Sequence, residues 1–201
     1  MVQPETPPIE ALGRWVPAAP QGRALDLGAG DGAISLWLGR QGFLVDAVEN
    51  DWPLAKALGR IRRGLPVVVH PIDLRQFPLI ANTYSLIVAS AVLHFLRPSE
   101  LWTVADGLSA ALVPSGLLIA EVLTTDDPEA VGFRSSGTAQ VEPNTYRAGT
   151  PEGVIHFFEP GELRRVFHAL EVREYDEFRR ITPESPGEYR SGATLVGRRP
   201  E

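Results

Sequence analysis

The stretch Arg23-Ala-Leu-Asp-Leu-Gly-Ala-Gly-Asp-Gly32 decides the fold of this chain. A short apolar run, Ala24 to Leu27, ends in glycines at alternate positions, Gly28, Gly30 and Gly32. Ile34, Leu36, Trp37 and Leu38 follow at helical spacing. The order reads as strand, tight turn and helix. Glycines in such a turn let a ligand press against the main chain, because no Cβ stands in the way. Asp26, inside the strand, is a carboxylate that a plain phosphate-binding loop does not need; it suits a ligand with a cationic group. Asp31 is placed to cap the helix N-terminus, where unpaired N–H groups and the dipole favour an acid. Gly28-Ala-Gly-Asp-Gly-Ala33 also fits the G-x-G-x-x-G/A pattern of dinucleotide binding, so the motif alone leaves two cofactor classes open.

Outward from this stretch the chain alternates strand-like and helix-like segments, which predicts a parallel sheet covered on both faces. A leading helix is expected over residues 9–16, ended by Pro17. After the first strand and its helix come Phe43–Glu49 as a strand and Asp51–Arg63 as a helix capped by Asn50 or Asp51. Pro66–His70 and Tyr84–Ala89 are further strands. Pro98–Leu112 reads as a helix with Ser99 as cap, and Ser115–Val122 as the fifth strand. From Thr124 to Thr150 the pattern fails, and Thr, Ser, Gly, Pro and acids dominate. A stretch of that kind in a compact domain is expected to be a functional lid or a disordered segment. Order returns at Val154–Phe158, followed by a helix from Glu159 or Pro160 through Leu170. Val172–Phe178 and Ala193–Arg198 then read as two closing strands, joined by a Pro/Ser/Gly loop and forming an antiparallel pair at one sheet edge.

The 201 residues make one domain, with a substrate-lid insertion at about 124–153. A net charge of −6 argues against nucleic acid as a partner. Arg60, Arg62 and Arg63 read as a solvated helix face. There is no cysteine, hence no disulfide and no thiolate metal site. The four histidines include no H-x-x-x-H pair, so no metal is expected. Neither an N-terminal signal core nor a bilayer-length apolar run is present, which makes a cytoplasmic protein without a membrane partner the expectation. Oligomeric state is left open.

The acid followed by G-x-G-x-G resembles the first motif of class I S-adenosylmethionine-dependent methyltransferases. That resemblance implies a Rossmann-like, doubly wound α/β fold with a mostly parallel seven-stranded sheet and an antiparallel C-terminal strand. It implies S-adenosylmethionine as cofactor, S-adenosylhomocysteine as product, and Asp26, Gly28, Ala29 and Gly30 along the cofactor. Glu49, at the end of the second strand, can accept hydrogen bonds from both ribose hydroxyls, with Asn50 beside it; otherwise it is a charge at a helix start. Asp73, just past the third strand, resembles the second motif of the family, whose acid accepts from the adenine amino group, and the Leu74 N–H would reach a ring nitrogen. Alternatively, Asp73 bonds its own turn.

Ser90-Ala-Val-Leu-His94-Phe-Leu96 resembles the small-molecule methyltransferase pattern at the end of the fourth strand, with Ser90 at the cofactor. No N-P-P-Y or D-P-P-Y tetrapeptide occurs there, which argues against exocyclic base amines and protein glutamine as acceptors. His94 is a candidate base near the transferred methyl, or else a packed structural residue. His156-Phe-Phe-Glu-Pro-Gly-Glu-Leu163 resembles a segment of tellurite-resistance and thiopurine-type methyltransferases. It reads mainly as helix initiation, with His156 and Phe157 as candidates to face a substrate. Arg147, in the irregular insertion, is a candidate for binding an anionic substrate. The resemblance implies methyl transfer to a small-molecule acceptor by in-line displacement. The competing functions are a nicotinamide-binding oxidoreductase, against which Asp26 and Asp73 weigh, and a cofactor-binding protein without catalysis.

Overall fold

The computed structural model describes residues 7–149, 153–181 and 189–201. A seven-stranded sheet forms the centre, in the order β3-β2-β1-β4-β5-β10-β9. Its strands are β1 (Arg23–Leu27), β2 (Leu44–Val48), β3 (Val67–His70), β4 (Tyr84–Ser90), β5 (Leu112–Leu123), β9 (Glu171–Ile181) and β10 (Tyr189–Arg198). The pairs from β3 across to β5 are parallel, whereas β10 runs antiparallel to both β5 and β9. The chain therefore builds outward from β1 to β3, then crosses to start the other half at β4. The corner between β1 and β4 is the switch point, where ligands of such sheets bind.

Both faces of the sheet are buried, as side chains alternating across each strand require. Ala24, Leu86 and Val88 pack under α1 (Glu10–Trp15), α2 (Ala33–Arg40) and α3 (Trp52–Ile61) through Leu12, Leu38 and Leu58. Leu25, Leu27, Ile87 and Ala89 point the other way, onto α4 (Pro98–Ala111) and α6 (Glu162–Val166) through Leu101, Leu108 and Leu163. Asp51 caps α3, its carboxylate accepting from the Leu54 N–H at 2.9 Å. Asp31 accepts from the Ala33 N–H at 3.0 Å at the start of α2. Gly28 and Gly32 are packing glycines: an added Cβ would stand 2.6 Å from the Val92 side chain at the first and 2.2 Å from Leu58 at the second.

Three local expectations are corrected. Ser99 is not the cap of α4; Arg97 holds that position, and the Glu100 carboxylate reaches back to its N–H at 2.9 Å. The helix expected to run through Leu170 stops at Val166, although Leu163, Val166, Phe167 and Leu170 are all buried as their spacing predicts. The stretch expected to be irregular contains α5 (Pro128–Ser136) and the strands β6 (Gln140–Glu142) and β7 (Thr145–Arg147), which pair with β8 (Val154–His156) in a small antiparallel sheet. Its Asp, Pro, Gly and Asn residues are the punctuation of short elements. Asp127 caps α5, Pro128 opens it, left-handed Gly137 ends it, and Asn144 turns β6 into β7. Ala130, Tyr146, Ile155 and Phe157 give this insertion an apolar cluster of its own. The loop expected between the closing strands, residues 150–152 and the N-terminal six residues lie outside the described residues.

Candidate functional site

A cavity of about 560 Å³ lies beyond the carboxyl ends of β1 to β4, a volume within the range of small-molecule sites. Gly28 and Gly30 form its floor, Glu49 and Asn50 one wall, and Ile72 to Arg75 another. Ala91, Val92, Phe95 and Leu96 close the side toward β4, and Ala148, Gly149, Gly153 and Val154 of the insertion cover it. Gly30 has a left-handed φ of 54°, and a Cβ added there would meet nothing nearer than the Gly28 carbonyl at 4.0 Å. That Cβ would stand in the cavity itself, so the bare backbone forms part of the binding surface.

Glu49 organises this floor. Its Oε2 accepts from the Gly30 N–H and its Oε1 from the Asp51 N–H, both at 2.7 Å. One carboxylate thus ties the glycine turn to the start of α3, and its remaining lone pairs are available to hydroxyl donors in the cavity. Asp73 is held in the same manner by Arg75, whose Nε and Nη2 approach its two oxygens at 2.8 and 2.6 Å. The hydrogen bonds from Arg75 keep the Asp73 carboxyl below its ordinary pKa, so it is an anion at neutral pH. Leu74 follows it in the lining.

Asp26 does not line this cavity. The two-residue alternation of β1 turns it to the same face as Ala24, where it is 1% exposed and accepts from the Ser35 hydroxyl of α2 at 2.5 Å. Burial raises its pKa to about 6, opposed by the Ser35 hydrogen bonds. Ala29 is buried, its N–H donated to the Val48 carbonyl at 3.0 Å. Ser90 ends β4 half-buried beside the cavity but outside its lining.

Ala91, the next residue, has a left-handed φ of 53° and donates its N–H to the Glu121 carbonyl at 2.9 Å. A non-glycine residue in that region is uncommon, and such strain gathers at functional corners. Ala91 and Phe95 are shared with a second cavity of about 440 Å³, at the ends of β4 and β5. Its lining includes His94, Glu121, Glu129, Ile155, Phe178 and Arg190. His94 is 4% exposed, and its Nδ1 is buried without a hydrogen-bond partner. An unmet buried ring nitrogen costs about 1–3 kcal/mol, which a ligand group can recover. Burial lowers the His94 pKa to about 4, so the ring is neutral at physiological pH.

The remaining candidates are elsewhere. His156 is buried, its Nδ1 2.9 Å from the Thr145 hydroxyl and its Nε2 3.0 Å from the Glu162 carboxylate. Phe157 sits fully buried in the apolar cluster of the insertion. Arg147 is exposed and lines neither cavity. His156 thus joins β8 to β7 and α6, Phe157 is core of the insertion, and Arg147 stands at the surface. The sequence placed Ala89 to Val92 beside the cofactor, and Ala91 and Val92 do line the first cavity; sequence reasoning missed Arg75 and Phe95, and all of the second cavity except Ala91 and His94. Only Arg75 left a signal, two positions after an acid in a turn. No group of His, Cys, Asp or Glu among the described residues could hold a metal ion, and no helix among them is long and apolar enough to cross a membrane.

A glycine-floored cavity at the switch point, with carboxylates at adjacent strand ends, defines an α/β protein of the doubly wound class, and the cavity lies where sheets of that class bind their ligands. Residues 15–166 match the family model described as tellurite resistance protein TehB, and the chain belongs to that family. A relative in Bacillus subtilis, the uncharacterized methyltransferase YodH, is 31% identical over 103 residues, which is 50% of this chain and 43% of that protein. The chain spans less than half the length of the curated relatives it matches. The fold is shared with a SAM-dependent methyltransferase from Methanosarcina mazei, at TM-score 0.75 and 18% identity over 92% of this chain and 96% of that one. It is shared also with the 1,6-didemethyltoxoflavin-N1-methyltransferase of Burkholderia thailandensis, solved with its substrate and S-adenosylhomocysteine, at TM-score 0.69 and 20% identity over 95% and 76% of the two chains.

Proposed function

We propose that the protein is a methyltransferase that uses S-adenosylmethionine and acts on a small-molecule acceptor. The observation that carries this reading is the first cavity: an open glycine backbone, two anchored carboxylates at the ends of neighbouring strands, and a corner at Ala91 leading to a second cavity. The residues fit the cofactor. Gly30 leaves room against the main chain, Glu49 offers acceptors to a ribose diol, and Asp73 offers acceptors to an exocyclic amine. S-adenosylhomocysteine bound in the shared-fold enzyme from Burkholderia thailandensis supports the same assignment. The lone antiparallel strand β10 weighs against a nicotinamide-binding domain, whose usual strand order is parallel throughout.

When bound, S-adenosylmethionine supplies a methyl on a sulfonium: the acceptor's lone pair bonds to that carbon as the carbon–sulfur bond breaks, its electron pair remaining on sulfur in S-adenosylhomocysteine. The protein's part is to align and to exclude water. Ala91 and Phe95, common to both cavities, stand where cofactor and acceptor would meet. His94 offers its unpartnered Nδ1 to a hydrogen on the acceptor. With a pKa near 4 it orients that hydrogen and leaves the bulk of proton removal to solvent. The insertion, which contributes Ala148, Gly149, Gly153 and Val154 to the roof, acts as a lid.

Calorimetric titration with S-adenosylmethionine and S-adenosylhomocysteine, with NAD and NADP as controls, tests the reading. Micromolar binding of the first two, weakened by Glu49→Ala and Asp73→Ala, is expected. Preference for a nicotinamide cofactor refutes it.

A further inference from the structure

The second cavity has a chemistry of its own. Phe95, Val122, Ile155 and Phe178 give it apolar walls suited to a flat ring. Its polar lining is rich in acceptors. Glu121 and Glu129 both face it, and among the described lining residues Arg190 is the one cation. Arg190 is paired with acids, its Nη1 donating to Asp127 and to Glu129, each at 3.1 Å. Asp127 is fully buried and also takes the Ser191 N–H at 2.8 Å, so it holds Arg190 firmly toward the wall. Glu121 accepts from the Thr194 hydroxyl at 3.1 Å and from Arg180 at 3.3 Å, and Arg180 lies outside the lining. The buried, unpartnered Nδ1 of His94 is a further polar atom in the same wall. In the tautomer protonated at Nε2 that atom is an acceptor as well.

We propose that this cavity is the methyl-acceptor site, and that it selects a neutral or cationic planar molecule bearing N–H or O–H donors while rejecting oxyanions. The proposal rests on the methyltransferase reading above. An anion entering the cavity meets the carboxylates of Glu121 and Glu129, and the one cation among the described lining residues is paired with two acids. A ring with donors instead stacks between phenylalanines and satisfies His94, Glu121 and Glu129 together. Arg147, the residue that suggested an anionic substrate, has no place in this wall.

Four probes titrated into the full chain saturated with S-adenosylhomocysteine test the charge preference: benzylamine, benzyl alcohol, benzoate and sodium tellurite. Benzylamine is expected to bind at least tenfold more tightly than benzoate, with tellurite failing to compete. Glu129→Gln, which removes one carboxylate and releases one hand of Arg190, should narrow the benzylamine-to-benzoate ratio at least threefold. Its affinity for S-adenosylhomocysteine reports that the variant is folded. Benzoate or tellurite binding as well as benzylamine overturns the proposal, and so does a saturated complex that binds none of the aryl probes. Failure of S-adenosylhomocysteine itself to bind removes the cofactor reading and this proposal with it, which tells the two failures apart.

Discussion

Asp26→Asn should make the protein more stable at pH 8. Asp26 is enclosed between β1 and α2, and burial raises its pKa from 3.8 to about 6, with the charges of Glu49 and Asp31 adding to the effect. A folded-state pKa above the unfolded one means that ionisation works against the fold. The penalty is absent below about pH 4, grows as pH rises, and is complete above about pH 6. The span from 3.8 to about 6 corresponds to about 3 kcal/mol, at about 1.36 kcal/mol per tenfold change in proton affinity. Asparagine has no such penalty but is a weaker acceptor for the Ser35 hydroxyl and N–H, which takes back about 1–1.5 kcal/mol. The net gain of about 1.5–2 kcal/mol at pH 8 raises Tm by roughly 3–8 °C in a domain of this size. Thermal denaturation of both proteins from pH 4.5 to pH 8 measures it. The Tm difference should shrink and then reverse as pH falls. A variant less stable than the parent at pH 8, or a difference independent of pH, refutes the argument that an ionised carboxylate is strained there.

Glu49→Gln replaces charged acceptors of the Gly30 and Asp51 N–H groups. Hydrogen bonds to charged groups contribute about 1.5–3 kcal/mol, so the Kd for S-adenosylhomocysteine should rise about 10- to 100-fold by calorimetry; a rise below threefold contradicts its place at the cofactor. Gly30→Ala adds a Cβ in the cavity and forces alanine to a φ of 54°. Stability should fall by about 1 kcal/mol and cofactor affinity by more than about tenfold; unchanged affinity would place the ligand elsewhere. His156→Ala removes the links to Thr145 and Glu162 and should lower stability by about 2–4 kcal/mol, read from the urea midpoint; an unaltered midpoint rules out its role as a strut.

The first half of the sheet was legible because its signals are local. Val48, Glu49 and Asn50 line the cavity because a strand stops where the sequence says it stops, and Gly30 follows another strand end at fixed offset. Asp51 caps α3, and Asp31 accepts from the first N–H of α2 although Gly32 holds the cap position itself. Where local reading erred, it erred by direction or by context. Asp26 lies in the right strand, but alternation turns it to Ser35 and away from the cavity. His156 and Phe157 sit next to each other in a segment that resembled a substrate-facing one, yet β8 pairs with β7, which sets His156 between Thr145 and Glu162 and Phe157 in the insertion's apolar cluster. The stretch from Thr124 to Thr150 looked structureless because its elements are too short to show a period, nine residues in α5 and three in each of β6 and β7.

The division between what was legible and what was not follows the two cavities. Much of the first cavity's lining comes from short loops at the ends of β1, β2 and β3, each specified by residues beside its own strand. The second cavity is assembled from β4, β5, α5, β8, β9 and β10, and its charge balance depends on Arg190 meeting Asp127 and Glu129 from more than sixty positions away. No window of sequence contains that pairing, so the second cavity emerges only when β10 is laid against β5. The same arrangement lets the two functions vary separately. A substitution at Arg190, Glu129 or Phe178 changes the charge and shape of the second cavity without touching Gly30, Glu49 or Asp73.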